Sequence, residues 1–328
     1  MKRRLNLLLT AGTIAGAVLP TLAQTRRVKR IGILSIRPLP DPAAAAGNAD
    51  TLAQLKRFGW EEGRDVFIER RYSMGDPRKH DANAEDLVAA GVDVILALGH
   101  ERLAAAYKAT KSIPIVTMAS GLVELGYAKS LARPGGNVTG LDYQGLVFAG
   151  KQFELMYTMR PGVRKIGFSG PHGTPGFDGG VTALRAVANT KDVAVVPLPH
   201  MLVMADIEPM LAAAKREEVQ VLVLTSGLFF LLGSGLQRIQ AWATENNVLT
   251  YAPNFQRGEL LVTYGPNLQE ASRIAWSAVD RILRGAKPVD IPIEQPTRYE
   301  IVINMKIAKA MGLKVPQSVL LQVTEVID

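Results

Sequence analysis

The 328-residue chain is 48% hydrophobic and 21% charged, carries a formal net charge of +8, and has no cysteine and four histidines. That balance excludes an intrinsically disordered chain. The missing cysteine excludes disulfides, thiolate nucleophiles, cysteine-bound metals and a lipidated N-terminal cysteine.

The first residues read as a secretory leader. Lys2, Arg3 and Arg4 form a basic n-region, Leu5 to Val18 is apolar but short for a membrane span, and Thr21-Leu22-Ala23 offers small residues to a peptidase. Residues 1–23 are therefore expected to be removed on export, leaving a protein free in a periplasm. The Arg3-Arg4 pair also fits a twin-arginine signal, so the general secretory and twin-arginine routes both stay open. The other basic residues are scattered, apart from Arg26, Arg27, Lys29 and Arg30. That cluster reads as a solvated N-terminal patch, and no nucleic-acid partner is expected.

The body of the chain alternates strands and helices. Ile31 to Ile36 is an apolar, β-branched run of the kind buried in parallel sheets. A helix follows over Asn48 to Phe58, a strand over Asp65 to Arg70, a helix over Lys79 to Ala90 and a strand over Val92 to Leu98. Glu101 to Thr110 is helical and Ile113 to Met118 is a strand. Such spacing gives right-handed βαβ units and a doubly wound sheet. The glycine-rich stretch 135–145 interrupts the pattern, which then restarts. Helices are expected over Gly150 to Met159, Gly180 to Asn189, Ile207 to Glu217 and Leu236 to Glu245. Strands are expected over Lys165 to Ser169, Val193 to Pro197, Val219 to Thr225 and Val248 to Tyr251. In the tail, Leu268 to Arg284 is a long amphipathic helix with Gly285 at its C-terminal cap. A strand over Glu300 to Ile303 and a helix over Met305 to Met311 follow. The length suits two such α/β units.

In open α/β sheets ligands sit outside the carboxyl ends of the strands. That rule nominates Ser35 and Arg37 after the first strand, Gly99, His100 and Glu101 after the third, and Ala119, Ser120 and Gly121 after the fourth. In the second unit it nominates Ser169 and His172, then Ser226 and Phe229, then Asn254 and Gln256. Arg37 and Arg102 offer guanidinium forks for a carboxylate, and the helix starting near His100 offers unpaired N–H groups. Phe229 is placed to stack on a planar group. Each nomination has a second reading. Glu101 is also a favourable acid in a first helical turn, His100 and Arg37 also suit a solvated surface, and Ser120 also suits a plain turn.

Enzyme motifs are missing. His80, His100, His172 and His200 lack metal-ligand spacing, Ser226-Gly227 lacks a nucleophile elbow, and Gly135-Gly136 is not followed by the lysine and serine of a phosphate loop. No catalytic residue, metal or cofactor is expected.

Several strings then point to one family. They are Phe58-Gly59-Trp60-Glu61-Glu62-Gly63-Arg64-Asp65, Leu131-Ala132-Arg133-Pro134-Gly135-Gly136-Asn137-Val138-Thr139-Gly140, Tyr264-Gly265-Pro266-Asn267-Leu268, Arg281-Ile282-Leu283-Arg284-Gly285-Ala286-Lys287-Pro288, Pro292-Ile293-Glu294-Gln295-Pro296-Thr297-Arg298-Tyr299-Glu300 and Asn304 to Leu313. In this order and spacing the chain resembles the extracytoplasmic substrate-binding proteins of one ABC-transporter family, over nearly all of its length after residue 28. The resemblance implies a type I periplasmic-binding-protein clamshell: two Rossmann-like lobes, 28–143 with 264–292 and 144–263 with 293–328. The chain would cross between them three times, with hinge points near Asp142, Thr263 and Pro292. It implies a monomer that captures a small organic molecule and delivers it to an inner-membrane ABC permease. The alternative is a sensory module presenting the ligand to a membrane receptor. Some members of the resembled family are associated with aromatic amino acids. Two loops depart from its pattern: His100-Glu101 replaces a small hydroxyl residue and a proline, and Ser120-Gly121 stands where Asp-Pro is common. A third, Gly170 to Gly173, lies where the family has an Asn-Pro loop. The expected ligand carries a carboxylate or a similar acceptor-rich group.

Overall fold

The computed structural model describes residues 27–35, 42–74, 76–225, 234–252 and 258–328. Two sheets form, the first parallel and the second mostly so, and each collects the apolar runs that the sequence distributes along half of the chain. The first contains β1 (Lys29–Ser35), β2 (Val66–Tyr72), β3 (Val94–Leu96), β4 (Ile115–Ala119) and β5 (Val138–Asp142), in the order β2-β1-β3-β4-β5. All four pairings are parallel. One face is covered by α2 (His80–Ala89) and α3 (His100–Ala109), which bury Ala84, Leu87, Leu103 and Ala106 with Ile95, Ile115 and Val138. On the other, α1 (Pro42–Arg57) and α8 (Leu268–Leu283) pack Leu55, Ile274 and Val279 onto Ile31, Val94, Val116 and Leu141.

The second sheet holds β6 (Lys165–Ser169), β7 (Ala194–Pro197), β8 (Val221–Leu224), β9 (Leu249–Ala252), β10 (Val262–Pro266), β11 (Tyr299–Asn304) and β12 (Glu325–Ile327). Its order, read from the far edge, is β7-β6-β8-β9-β10-β11-β12, and only the β10–β11 pair is antiparallel. The helices α4 (Gly145–Met159) and α5 (Pro175–Ala188) cover one face, while α6 (Ile207–Arg216) and α7 (Ser234–Glu245) cover the other. Two short helices, α9 (Met305–Ala310) and α10 (Gln317–Leu320), complete the tail. The first five strands of each sheet thus share one winding order.

The chain passes between the sheets three times: from β5 to α4, from β10 to α8, and from residues 291–294 to β11. The third passage is held to the first, since Glu294 N–H donates to Gly140 O at 2.9 Å and Asp142 N–H donates to Glu294 O at 2.9 Å. The Tyr299 hydroxyl donates to Tyr143 O at 3.1 Å, and Asn267 N–H donates to Arg298 O at 2.9 Å, joining the second passage to the third. Each passage also supplies one ring to an aromatic cluster. Phe148 stacks on Tyr264 with centroids 4.9 Å apart, and Tyr264 meets Tyr299 at 5.5 Å. β10 continues through Pro266, and Ile291 and Ile293 are buried in the first lobe.

The long helix α8 is fixed at both ends. The Asn267 side chain accepts from Glu270 N–H at 2.8 Å, and a Schellman pattern closes the other end, with Gly285 N–H donating to Ile282 O and Ala286 N–H to Arg281 O, both at 2.9 Å. The Trp60 indole donates to Asp280 at 2.7 Å.

Three strands escape a periodicity reading, one of them the three-residue β12. β10 ends in Gly265-Pro266, and β5 lies in the glycine-rich stretch. Gly140 explains the β5 case. Its φ is +127°, and a Cβ there would lie 2.1 Å from Thr117 O on the neighbouring strand. The glycine is what lets β5 approach β4 beside the first passage. Gly140→Ala is expected to destabilise the protein by about 3 kcal/mol through backbone displacement. Urea denaturation followed by tryptophan fluorescence checks this; an unchanged midpoint contradicts it.

Candidate functional site

The winding order β2-β1-β3-β4-β5 reverses between β1 and β3, and the equivalent point in the second sheet lies between β6 and β8. Connections leave in opposite directions there and open a crevice at the carboxyl edge. Ser35 and Gly99 to Arg102 occupy the first such edge, and Ser169, Gly170 and Thr225 the second. The two edges face each other. A Cβ built on Gly176, in the first turn of α5, would lie 3.3 Å from Glu101 Oε1 and 3.3 Å from His100 Nδ1. The first turns of α3 and α5 therefore touch across the cleft.

Gly99 precedes α3 with φ +94°, a conformation that disfavours any residue with a Cβ. No side chain caps the first turn of α3. His100 Nε2 lies 2.9 Å from Ser120 O. A carbonyl only accepts, so Nε2 carries the proton, and in the neutral ring Nδ1 is left as an acceptor facing Gly176. Glu101 directs Oε1 the same way. Both groups suit the first turn of α5, where Thr174 caps Phe177 N–H at 3.3 Å.

Arg102 is 9% exposed. Its Nε donates to Leu98 O, and its Nη2 lies 2.9 Å from where a Cβ on Gly99 would stand. No ion pair to it occurs among the described residues. Burial pushes its guanidinium below the ordinary arginine value, opposed by the charges of Glu101 and Tyr143. Neighbouring His80 is 7% exposed, and its Nδ1 has no partner among the described residues. Burial, then the Arg102 charge, pushes its imidazole down to about 4.

The turn after β4 is organised by Asp142. Its carboxylate accepts from Leu122 N–H at 2.7 Å, Gln144 N–H at 2.8 Å and Gly121 N–H at 3.3 Å. This ties Gly121 to the first interlobe passage. Ser120 is half-buried, its Oγ 3.7 Å from a Cβ built on Gly145 at the start of α4. Ala119 is buried, and its carbonyl accepts from Tyr143 N–H at 2.9 Å. Burial pushes the Tyr143 phenol above its ordinary value.

In the second lobe, Ser169 is fully buried with its hydroxyl 3.8 Å from Met201 Sδ, so it is sealed inside its own lobe. The His172 ring also turns back: Nε2 lies 2.6 Å from Leu198 O, and the ring packs 4.4 Å from Phe177. Thr225 Oγ1 is buried at the end of β8 and has no partner among the described residues. Arg37, Ser226, Phe229, Asn254 and Gln256 lie outside the described residues. Gly176 is not among the residues nominated from the sequence, and His80 is read there only as lacking metal-ligand spacing. Nothing in a lone glycine or an unspaced histidine marks a cleft until the fold brings α5 and α2 beside α3.

The model of the ABC transporter substrate binding protein family matches residues 36–327. A tyrosine-binding protein of Clostridioides difficile (strain R20291) is 25% identical over 296 residues, covering 88% of this chain and 83% of that protein. The crystal structure of an ABC domain in complex with L-Trp from Streptococcus pneumonia has a TM-score of 0.79 at 23% identity, covering 92% of this chain and all of that one. A ligand-free, open structure of a substrate binding protein with adhesive properties from Clostridium difficile reaches a TM-score of 0.61 at 24% identity, covering 92% and 99% of the two chains. The fold is that of type I periplasmic-binding proteins.

The His80 environment sets a pH dependence. Its folded value lies below the unfolded one near 6.5, so the neutral ring is favoured in the folded protein. The associated stability is complete above pH 6.5 and is lost as pH falls toward 4, by about 3 kcal/mol in all. An NMR titration of His80 is expected to give a midpoint near 4. A midpoint between 6 and 7 contradicts the burial argument.

Proposed function

The chain belongs to the ABC transporter substrate-binding protein family, and from that premise we propose that it captures a small, carboxylate-bearing organic solute in the periplasm and hands it to an ABC permease in the inner membrane. It is a solute-binding protein and not an enzyme. The observation that carries the reading is the meeting of α3 and α5, first turn to first turn, at the carboxyl edges of two sheets that share three passages of chain. A solute held there touches both lobes, and closure is favoured only to the extent that the solute binds the closed form better than the open one.

The three passages limit motion to rotation about the Asp142, Asn267 and 294–298 segments. The better match to the L-Trp complex than to the open structure supports reading this arrangement as closed. The first turn of α3 and Arg102 favour a carboxylate in the first lobe. The names of the tyrosine-binding relative and of the L-Trp complex make aromatic amino acids the first compounds to test. Each chain carries both faces of the cleft, so a monomer suffices. Residues 1–23 are the export leader. The lobes comprise 28–143 with 267–294, and 144–266 with 295–328.

Native mass spectrometry of protein released from the periplasm, without refolding, is expected to show one small molecule bound per chain. Gly176→Val places a branched side chain where the lobes meet. It is expected to weaken that molecule by about tenfold, or about 1.4 kcal/mol, with the fold unchanged by circular dichroism. Unchanged affinity in this variant contradicts capture between α3 and α5, and protein that holds no solute from any extract contradicts capture altogether.

A further inference from the structure

Among the described residues, five that are not glycine have left-handed backbone: Met74, Gln144, Asp192, Glu218 and Asn247. Three of them have an ordinary reason. Asp192, Glu218 and Asn247 each follow the C-terminus of a helical segment, where a left-handed residue closes the last turn. The next residue then donates back into the helix: Val193 N–H to Ala188 O at 3.2 Å, Val219 N–H to Ala214 O at 3.1 Å and Val248 N–H to Ala243 O at 2.8 Å. Met74 lies in an exposed turn after β2. Gln144 differs from all four. It stands in the first passage between the lobes, at the start of α4, with φ +56° and ψ +60°.

A helix start gains nothing from that conformation. The N-cap residue is ordinarily extended, and a short polar side chain there accepts from the first turn. Gln144 is not extended, and its side chain does not cap α4. A residue with a Cβ is disfavoured in left-handed backbone, so something must hold Gln144 there. Bonds to both lobes do. On the first-lobe side, Gln144 N–H donates to Asp142 at 2.8 Å, and the same carboxylate accepts from Gly121 and Leu122 N–H. Tyr143 N–H donates to Ala119 O at 2.9 Å. On the second-lobe side, Gln144 O accepts from Phe148 N–H at 2.9 Å, and Tyr143 O accepts from the Tyr299 hydroxyl at 3.1 Å. The torsions of one residue thus join two fixed sets of bonds.

We propose that Gln144 is the spring of the hinge, a positioning residue whose left-handed backbone belongs to the closed form and drives the lobes apart when the cleft is empty. This rests on the reading of capture by lobe closure and is independent of the class of solute. Opening returns Gln144 to the extended N-cap conformation. It gives up the bond from Gln144 N–H to Asp142 and keeps those from Gly121 and Leu122. Contacts between solute and both rims offset the torsional cost of closing. The closed form is then only partly populated without solute, and the apparent affinity is reduced by that fraction. The same cost favours release, because it is recovered on opening.

The test is a series at position 144 in the mature chain, freed of bound solute by denaturation and refolding. Gln144→Gly removes the left-handed penalty, Gln144→Ala keeps it without the side chain, and Gln144→Val raises it, since a β-branched residue fits left-handed backbone worst. Calorimetry with the co-purified solute reads affinity. Double electron–electron resonance between spin labels at Glu124→Cys and Thr182→Cys, exposed on opposite lobes, reads the closed fraction without solute. Gln144→Gly is expected to raise the closed-to-open ratio about fivefold, or about 1 kcal/mol, and to tighten binding in a mostly open protein. Gln144→Val is expected to lower the ratio by a similar factor, and Gln144→Ala to stay within about twofold of the parent chain. A merely structural turn would move urea midpoints in this order and leave closure and affinity unchanged, and that result overturns the inference. So does Gln144→Ala matching Gln144→Gly, which would place the effect in the lost side chain. Capture by closure is decided separately: it stands if solute shortens the label distance in the parent chain, and falls if solute binds without changing it.

Discussion

Parallel strands feed every following helix from the same edge of the sheet. The unpaired N–H groups and the positive dipole ends of those helices therefore gather along one rim. The whole cleft depends on this constraint. Two sheets with the same winding order, set rim to rim, oppose the starts of α3 and α5 without any specialised loop. Three passages of chain then hold the rims in register, laced by the bonds of Glu294, Asp142, Tyr299 and Asn267.

Against that background the two buried charges of the first rim behave differently. Asp142 is surrounded by backbone donors and fixes the corner where the chain leaves the first lobe. Arg102 is also buried but has one carbonyl for company among the described residues. A buried charge with its partners supplied is part of the scaffold. A buried charge without them is a cost that only an incoming group offsets. His80 sharpens the difference, since its ring stays neutral beside the guanidinium.

Much of this architecture was legible in the residues. Ile31 to Leu34 and Ile166 to Phe168 are runs that only a buried parallel strand accommodates, and the carboxyl-edge rule then located Gly99 to Glu101 and Ser120 without knowledge of the fold. Among the strands that escaped, β5 is the one whose glycine serves packing: Gly140 exists for the approach of Thr117, which is invisible along the chain. Ser169 and His172 sit at the nominated strand end, yet Met201 and Leu198 draw them inward, because side-chain direction is set by neighbours far away in sequence. Arg102 was recognisable as a fork, but its burial and its isolation from Glu101 are properties of the folded first turn. Gly176 had no sequence signal at all, since its role is the absence of a side chain opposite another lobe.

The central claim is that the solute closes the two rims on one another. The lack of cysteine makes it directly measurable, since spin labels go only where a cysteine is introduced. Glu124, in the turn after β4, and Thr182, on α5, are exposed and lie on opposite lobes. Double electron–electron resonance between labels at Glu124→Cys and Thr182→Cys, before and after addition of the co-purified solute, is the most direct test. A broad or long distance distribution that becomes short and narrow with solute is the predicted result. A distribution that stays the same while the solute binds would contradict capture by lobe closure.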